Sequence, residues 1–263
     1  MRLFLSVDME GTTGLERLEE IFRGLPGYDT FRQLMAGDAN AVIRGAIEGG
    51  ATEIVVSDSH GNMCNIYPND LTPGVLLKRG LLNRQWCQMK TFDGSFDAVI
   101  MIGYHAKAGS SDAILAHTWI TGFRDVRVNG LSVPEPALNG YLAGAFVNDP
   151  ALVARADDNF RFIDLSVPGA IKPLSDVDLI LRTHPQVSSP KTGTVSFTCS
   201  DYPTAYQTLY SILGQIYERD IENMVDDLAV PKEYARPDLE SIIGRDYPLN
   251  EIGERRKAAS VSS

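Results

Sequence analysis

Two acidic residues, Asp8 and Glu10, stand directly after a short apolar run at the start of the chain. Residues 2–7 are mostly apolar or β-favouring and give way to acids and glycines, which predicts a buried strand with both acids at its carboxyl end. Side chains two apart on a strand point to the same side, so the carboxylates are aimed together. Such a pair needs a cation between its members or a raised pKa on one of them. A solvated strand end before a Gly-rich turn is the ordinary alternative.

Two further predicted strands also end in polar residues. The apolar runs at 51–57 and 95–103 lead into His60 and His105. A helical pattern at 30–49 separates the first two strands, so they should form a right-handed βαβ unit with parallel strands. Open α/β sheets place their chemistry at the carboxyl ends of such strands. The polar ends are therefore expected to share one crevice.

The remaining candidates follow the strongest predicted strand. His117 falls in a loop, and Glu135 stands at the start of a helix entered near Pro136, at its positive N-terminal end. The fourth histidine, His184, is expected to be a bystander. Asp58, two residues before His60, is expected to support the site without binding metal.

Four separate segments thus supply a mixed oxygen and nitrogen donor set: Asp8, Glu10, His60, His105 and Glu135. Such a set suits one or two zinc ions better than Ca²⁺ or Mg²⁺. It exceeds what one tetrahedral zinc needs, whereas two ions bridged by a carboxylate would use every ligand and leave positions open for water. Each residue alone has an ordinary explanation, since a strand-end histidine is often a loop residue and Glu135 could simply favour the helix dipole.

Composition and charge narrow the class of protein. The net charge of -10 argues against nucleic-acid or anionic-membrane partners, because both require basic patches. The three cysteines have no CxxC spacing, which fits neither a disulfide framework nor a thiolate zinc site. The chain enters a strand at once, without the pattern of a secretory leader, and no apolar run is long enough to span a membrane. We expect a cytoplasmic protein with reduced thiols.

The predicted fold class is α/β, with a mostly parallel sheet in a Rossmann-like N-terminal domain and a smaller α+β C-terminal lobe. We predict a metal-binding domain at 1–145, the lobe at 146–222 and an extended arm at 223–263. The other predicted elements are a short strand at 75–78, a hairpin with an Asn129–Gly130 turn, strands at 160–167, 178–182 and 193–198, and a helix at 203–217.

Five motifs, in order and at compatible spacing, closely resemble the binuclear zinc D-aminopeptidases of the dipeptide-transport-operon type. They are SVDMEGTTG at 6–14, SDSH at 57–60, GYHA at 103–106, LAH at 115–117 and VPEPALNGY at 133–141. The resemblance covers about the first half of the chain. Residues 145–173 depart from the family pattern, although 191–197 and the helix after Pro203 resemble its last strand and helix. This indicates a rebuilt or shortened second lobe.

The resemblance implies roles for six residues. Asp8, Glu10, His60, His105 and Glu135 would be the ligands of two zinc ions, with Asp8 as the bridge, and His117 would be a catalytic histidine that binds no metal. It also implies a ring-shaped homo-oligomer, decameric in the type example, with active sites facing an inner channel.

The expected activity is zinc-dependent amide hydrolysis, as in an aminopeptidase that releases N-terminal D-amino acids from short peptides or amino-acid amides. Gly11 and Gly14 would let the backbone approach the substrate. One alternative is the same metal centre acting on a non-peptide amide or other small substrate. Another is a non-catalytic, ring-forming or ligand-binding member. A nucleotide-binding Rossmann domain is disfavoured, because no GxGxxG follows the first strand.

Overall fold

The structure of the protein is a computed structural model that describes residues 1–80, 86–146, 175–183 and 194–212. All of these belong to one compact unit, Met1–Ile212. The predicted strand at 160–167, His184, the end of the predicted helix beyond residue 212 and the arm at 223–263 lie outside the described residues. Within the described part of the chain, no helix has both the length and the apolar character needed to cross a bilayer.

The first sheet is parallel and carries the predicted polar strand ends. Its strands are β1 (Arg2–Val7), β2 (Glu53–Asp58), β3 (Leu76–Lys78) and β4 (Ala98–Ile102), in the spatial order β3-β2-β1-β4. Helix α1 (Tyr28–Glu48) connects β1 to β2, which confirms the predicted βαβ unit. Because β1 lies between β2 and β4, the carboxyl ends of these three strands are neighbours.

Burial explains why β1 and β2 read as continuous apolar runs. After its first residue each strand is buried on both faces, as expected of parallel strands covered on both sides. The core on one face packs α1 against the sheet through Met35, Ala39 and Ile43. Short 3-10 turns at Leu18–Ile21, Pro68–Asp70 and Cys87–Met89 complete the loops around the sheet.

The second sheet is antiparallel and joins strands that are far apart in sequence. It contains β5 (Phe123–Val128), β6 (Leu131–Ser132), β7 (Ser175–Thr183) and β8 (Thr194–Asp201), in the order β6-β5-β7-β8. The predicted hairpin is confirmed: Asn129 and Gly130 both have positive φ, +49° and +82°, as a type I′ turn requires. The strands predicted at 178–182 and 193–198 are also confirmed.

Two helices adjoin this sheet in sequence: α2 (Glu135–Phe146) and a helix over 202–212, here called α3. The hydroxyl of Tyr202 donates to the carbonyl of Leu138 at 2.9 Å, which fixes α3 against α2. A parallel sheet with a separate antiparallel sheet confirms the predicted α/β class. The second sheet takes strands from both sides of residue 145, and the division at that residue stays a prediction.

Candidate metal centre

The six candidate residues are brought to one place by the ends of β1, β2 and β4 and the start of α2. Asp8 and Glu10 follow β1, His60 follows β2 by two residues, and His105 follows β4 by three. Glu135 is the first residue of α2, and His117 lies in the loop before β5. All are buried except His117, which is partly exposed.

Two glycines allow the loops after β1 and β4 to touch through their backbones. The amide of Gly11 donates to the carbonyl of Gly103 at 2.7 Å. A Cβ on Gly11 would lie 2.2 Å from the carbonyl oxygen of Tyr104, and one on Gly103 would lie 2.1 Å from that of Asp8. Gly103 also has φ +70°, a conformation that favours glycine. Gly11 and Gly103 therefore permit close contact between the two loops that carry the candidate ligands.

Asp8 lies between two histidines. Its Oδ1 is 3.5 Å from Nδ1 of His60, and its Oδ2 is 3.6 Å from Nε2 of His105. The amide of Met9 donates to Oδ1 at 2.9 Å, which helps to hold the carboxylate in this orientation. Each oxygen of Asp8 thus faces a different imidazole.

Glu10 and Glu135 complete the acidic side of the cluster. Glu10 Oε2 is 2.9 Å from His60 Nδ1, and Glu10 Oε1 is 3.5 Å from His117 Nε2. Glu135 Oε1 is 3.1 Å from His105 Nε2 and 3.8 Å from His117 Nε2. Every one of the three histidines therefore has a ring nitrogen directed at carboxylates.

The other nitrogen of each histidine contacts a backbone carbonyl. His60 Nε2 is 3.0 Å from Ile21 O, His105 Nδ1 is 2.9 Å from Ala106 O, and His117 Nδ1 is 2.7 Å from Leu115 O. An N–H held by a carbonyl fixes the tautomer and leaves the opposite nitrogen free to bind a cation. This is the arrangement commonly found around metal-binding histidines.

The charges of these buried groups depend on one another. Burial disfavours protonated His60, but the Glu10 and Asp8 carboxylates together outweigh burial and raise the pKa of His60 well above its usual value. Burial likewise disfavours protonated His105, but the Glu135, Asp8 and Glu10 carboxylates together outweigh burial and raise the pKa of His105 to about 10. Burial, reinforced by the Glu10 charge, raises the pKa of Asp8 well above its usual range. Without a metal, protons supply the positive charge that the carboxylates require.

The residues present fit a metal. Three groups have ligand atoms within 4.8 Å of one another: Asp8–Glu10–His60, Asp8–His105–Glu135 and Glu10–His105–His117. The first two share Asp8 and contain every predicted ligand. His105 Nε2 is buried and, among the described residues, makes no hydrogen bond, although Glu135 Oε1 lies 3.1 Å from it. A cation between His105 and its carboxylates would use that nitrogen.

The structure also shows supporting residues, of which sequence reasoning identified only one. Asp58 accepts the amides of Asn65 and Ile66, the latter at 2.8 Å, and so orders the loop after His60 as expected of a supporting acid. Gln88 and the backbone amide of Trp119 both donate to Glu135, and neither was predicted. Gln88 lies outside every recognised motif, and an amide donor from the backbone leaves no trace in residue type.

Comparison with known proteins places the chain in a family. A family model described as D-aminopeptidase matches residues 1–161. The match covers more than half of the chain, which therefore belongs to the D-aminopeptidase family of peptidases, as the motifs predicted.

The chain is also similar to a curated protein and to a solved structure. A D-aminopeptidase of Bacillus subtilis (strain 168) is 35% identical over 158 residues, which are 60% of this chain and 57% of the relative. The aligned region thus spans little more than half the length of that relative. Among solved structures, the Zn-dependent D-aminopeptidase DppA from Bacillus subtilis, described as a self-compartmentalizing protease, is similar with a TM-score of 0.65. That likeness covers 81% of this chain and 97% of the other at 24% identity, and it shows a shared fold.

Proposed function

We propose that this protein is a zinc-dependent aminopeptidase with two metal positions per chain. One position lies among Asp8, Glu10 and His60, and the other among Asp8, His105 and Glu135. The observation that carries the proposal is the orientation of Asp8, whose two oxygens face different histidines. A carboxylate so placed can bridge two cations. The zinc dependence of the similar DppA structure supports the choice of metal.

Zinc, when bound, supplies Lewis acidity that polarises a carbonyl and lowers the pKa of water. The chain itself contributes a buried, acidic binding site that excludes bulk solvent. Asp8, Glu10 and Glu135 provide negative charge that balances the cations, and the three carbonyl-anchored imidazoles arrive with fixed orientation.

His117 is the residue to which we assign proton transfer. Its Nδ1 is held by the Leu115 carbonyl, so Nε2 is the atom able to accept or give a proton. Its side chain is 14% exposed, more than that of any of the five proposed ligands. This greater exposure suits a group that must meet a substrate.

The proposed substrates are short peptides or amino-acid amides with an N-terminal D-residue. The names of both relatives support this preference. The description of DppA as self-compartmentalizing supports a homo-oligomer here, for which we propose a ring. We also propose a cytoplasmic location, and the three free cysteines are compatible with it.

The first test is zinc content per chain on protein purified without chelator. We expect about two zinc ions in the wild type, and fewer in His60→Ala and Glu135→Ala. Glu48→Ala, at the exposed end of α1, is the control and should retain both. No bound metal of any kind, and no zinc taken up on titration, would refute a metal-dependent hydrolase and favour a non-catalytic role.

A substrate panel then defines the reaction. Zinc-loaded protein should hydrolyse D-amino-acid amides and short D-peptides faster than their L-counterparts. Hydrolysis of unrelated amides alone, with no turnover of substrates bearing a free N-terminal amine, would support the non-peptide amidase alternative.

A further inference from the structure

Gln88 contacts the candidate metal centre without being a metal ligand. It lies in the 3-10 turn Cys87–Met89 and is 5% exposed. Its side-chain amide donates through Nε2 to Oε2 of Glu135. The other carboxylate oxygen of Glu135, Oε1, lies 3.1 Å from His105 Nε2. Gln88 therefore holds the oxygen of Glu135 that does not face His105.

The orientation of the Gln88 amide is fixed by its other neighbours. Trp119 Nε1 can only donate, and it is 3.2 Å from Gln88 Oε1. Asn139 Nδ2 donates to the same oxygen at 2.8 Å. The amide nitrogen must then be the atom that faces Glu135. Because an amide N–H can only donate there, it requires Glu135 Oε2 to be an acceptor.

The backbone of Gln88 is held independently by hydroxyls from the strand ends. Its carbonyl oxygen lies 3.0 Å from Ser57 Oγ and 3.1 Å from Ser59 Oγ, both of which can donate to it. Ser6 Oγ lies between Ser59 Oγ and Tyr104 OH, at 2.6 Å and 2.7 Å. The carboxyl ends of β1 and β2 thus position the same residue whose side chain holds Glu135.

The hydrogen-bond network continues to α3. Asn139 Nδ2 lies 3.1 Å from Tyr104 OH, and Tyr206 OH lies 2.8 Å from Asn139 Oδ1. Tyr206 and Asn139 are both almost fully buried, so breaking any member leaves polar atoms without partners. The amide of Gln88 consequently has little freedom to turn away from Glu135.

An amide is well suited to this position because it carries no charge. A Lys or Arg donor at the same place would neutralise Glu135 and compete with a bound cation. The two donors that Glu135 receives, Gln88 Nε2 and the Trp119 amide, orient the carboxylate and leave its negative charge intact. Such support around a ligand is worth roughly 10- to 100-fold in metal affinity.

We propose that Gln88 is the positioning residue that aims Glu135 at the cation held with Asp8 and His105. This inference rests on the proposed function, because it assumes that this group binds zinc. It assigns to Gln88 no contact with substrate and no step in the reaction.

The test compares Gln88→Glu with Gln33→Glu, which makes the same change on the exposed face of α1. Glutamate at 88 keeps the shape and still accepts from Trp119 and Asn139, but it loses the donor and faces the Glu135 carboxylate. Zinc affinity is measured by competition with a chromogenic chelator, together with the unfolding midpoint of the metal-free protein. Of the two zinc ions of Gln88→Glu, we expect the more weakly bound one to bind about 10- to 100-fold less tightly than the corresponding ion of the wild type. The zinc affinities of Gln33→Glu should match those of the wild type.

Gln88→Met provides a second test that adds no charge and no new ligand, and it should show the same loss of zinc affinity if it folds. A folded Gln88 variant with wild-type zinc count and affinity, even with a lower unfolding midpoint, would show a merely structural residue and overturn the inference. Failure of the wild type itself to bind zinc would instead refute the proposed function. The two failures are therefore distinguishable.

Discussion

The imidazole rings of His105 and His117 are stacked, with centroids 3.6 Å apart and planes inclined by 10°. Both rings hold Nδ1 against a backbone carbonyl and direct Nε2 toward Glu135. They differ in environment, since the His105 side chain is 2% exposed and that of His117 is 14% exposed. Stacking thus pairs one almost fully buried imidazole with one that is partly exposed to solvent.

We predict that His117→Gln separates catalysis from metal binding. The variant should retain about two zinc ions per chain, while kcat/KM falls by at least about 100-fold because the proton-transferring nitrogen is lost. His105→Gln, the matched change in the stacked partner, should lose zinc as well as activity. Zinc content and kcat/KM, measured on the same preparations, check both expectations.

The opposite result has a definite meaning. His117 Nε2 also belongs to the group formed with Glu10 and His105. Loss of zinc from His117→Gln to the same extent as from His105→Gln would identify His117 as a ligand and remove its assignment as a residue that binds no metal.

Asp8→Asn should abolish binding at both metal positions and leave the metal-free fold intact. Burial and the neighbouring Glu10 charge raise the pKa of Asp8, so its charge is unfavourable in the metal-free protein. A neutral amide of the same shape removes that repulsion, and the apo protein should be no less stable. Zinc content and urea unfolding in chelator provide the two measurements. Retention of both zinc ions by Asp8→Asn, with wild-type affinity, would exclude a bridging role.

The placement of three of the proposed ligands, Asp8, His60 and His105, could be predicted because it depends on local pattern. Apolar runs that end in Asp8, His60 and His105 identify parallel strands, and the βαβ rule then puts their ends together. The first sheet, and the position of these residues at the carboxyl ends of its strands, can therefore be predicted from residues that are near one another in sequence.

The hydrogen-bond support around the proposed ligands was not predictable in this way. Gln88 reaches Glu135 from 47 residues away, and β5 pairs with β7 across a long connection. Contacts of this kind are set by tertiary packing, which leaves no periodic signal. Gly11 shows the same limit, since a glycine in a turn gives no indication that Tyr104 lies where its side chain would be.

Gly103→Ala should disrupt the metal centre through the backbone. The added Cβ would meet the carbonyl oxygen of Asp8 at 2.1 Å, and φ +70° disfavours alanine. We expect a loss of more than about 2 kcal/mol in the free energy of unfolding, with weakened zinc binding. Gly45→Ala, on α1, is the control, because the Cβ added at this position would have no neighbouring atom within 4 Å. That change should be neutral or stabilise by up to about 1 kcal/mol, and equal effects of the two variants would contradict the argument.

Lys90 should make the stability of the metal-free protein rise with pH above neutrality. Its Nζ is buried and donates to the carbonyls of Asp58 and Gly80 at 3.1 Å and 2.9 Å. Burial, partly opposed by the Asp58 carboxylate, lowers its pKa from 10.5 to about 8. The unfolded chain therefore binds more protons than the folded one between these values, and stability increases as the pH rises through this window.

Relative to Lys90→Met, the wild-type free energy of unfolding should gain about 1 kcal/mol between about pH 7 and about pH 9. Urea unfolding of both proteins in chelator gives the difference directly, and other groups that titrate in this range cancel because both proteins contain them. Methionine keeps the length of the side chain but removes the charge, so the variant loses only the part of the pH dependence that belongs to Lys90. Parallel stability curves for the two proteins would mean that Lys90 keeps an ordinary pKa despite its burial, with its ammonium fully stabilised by the two carbonyls and Asp58.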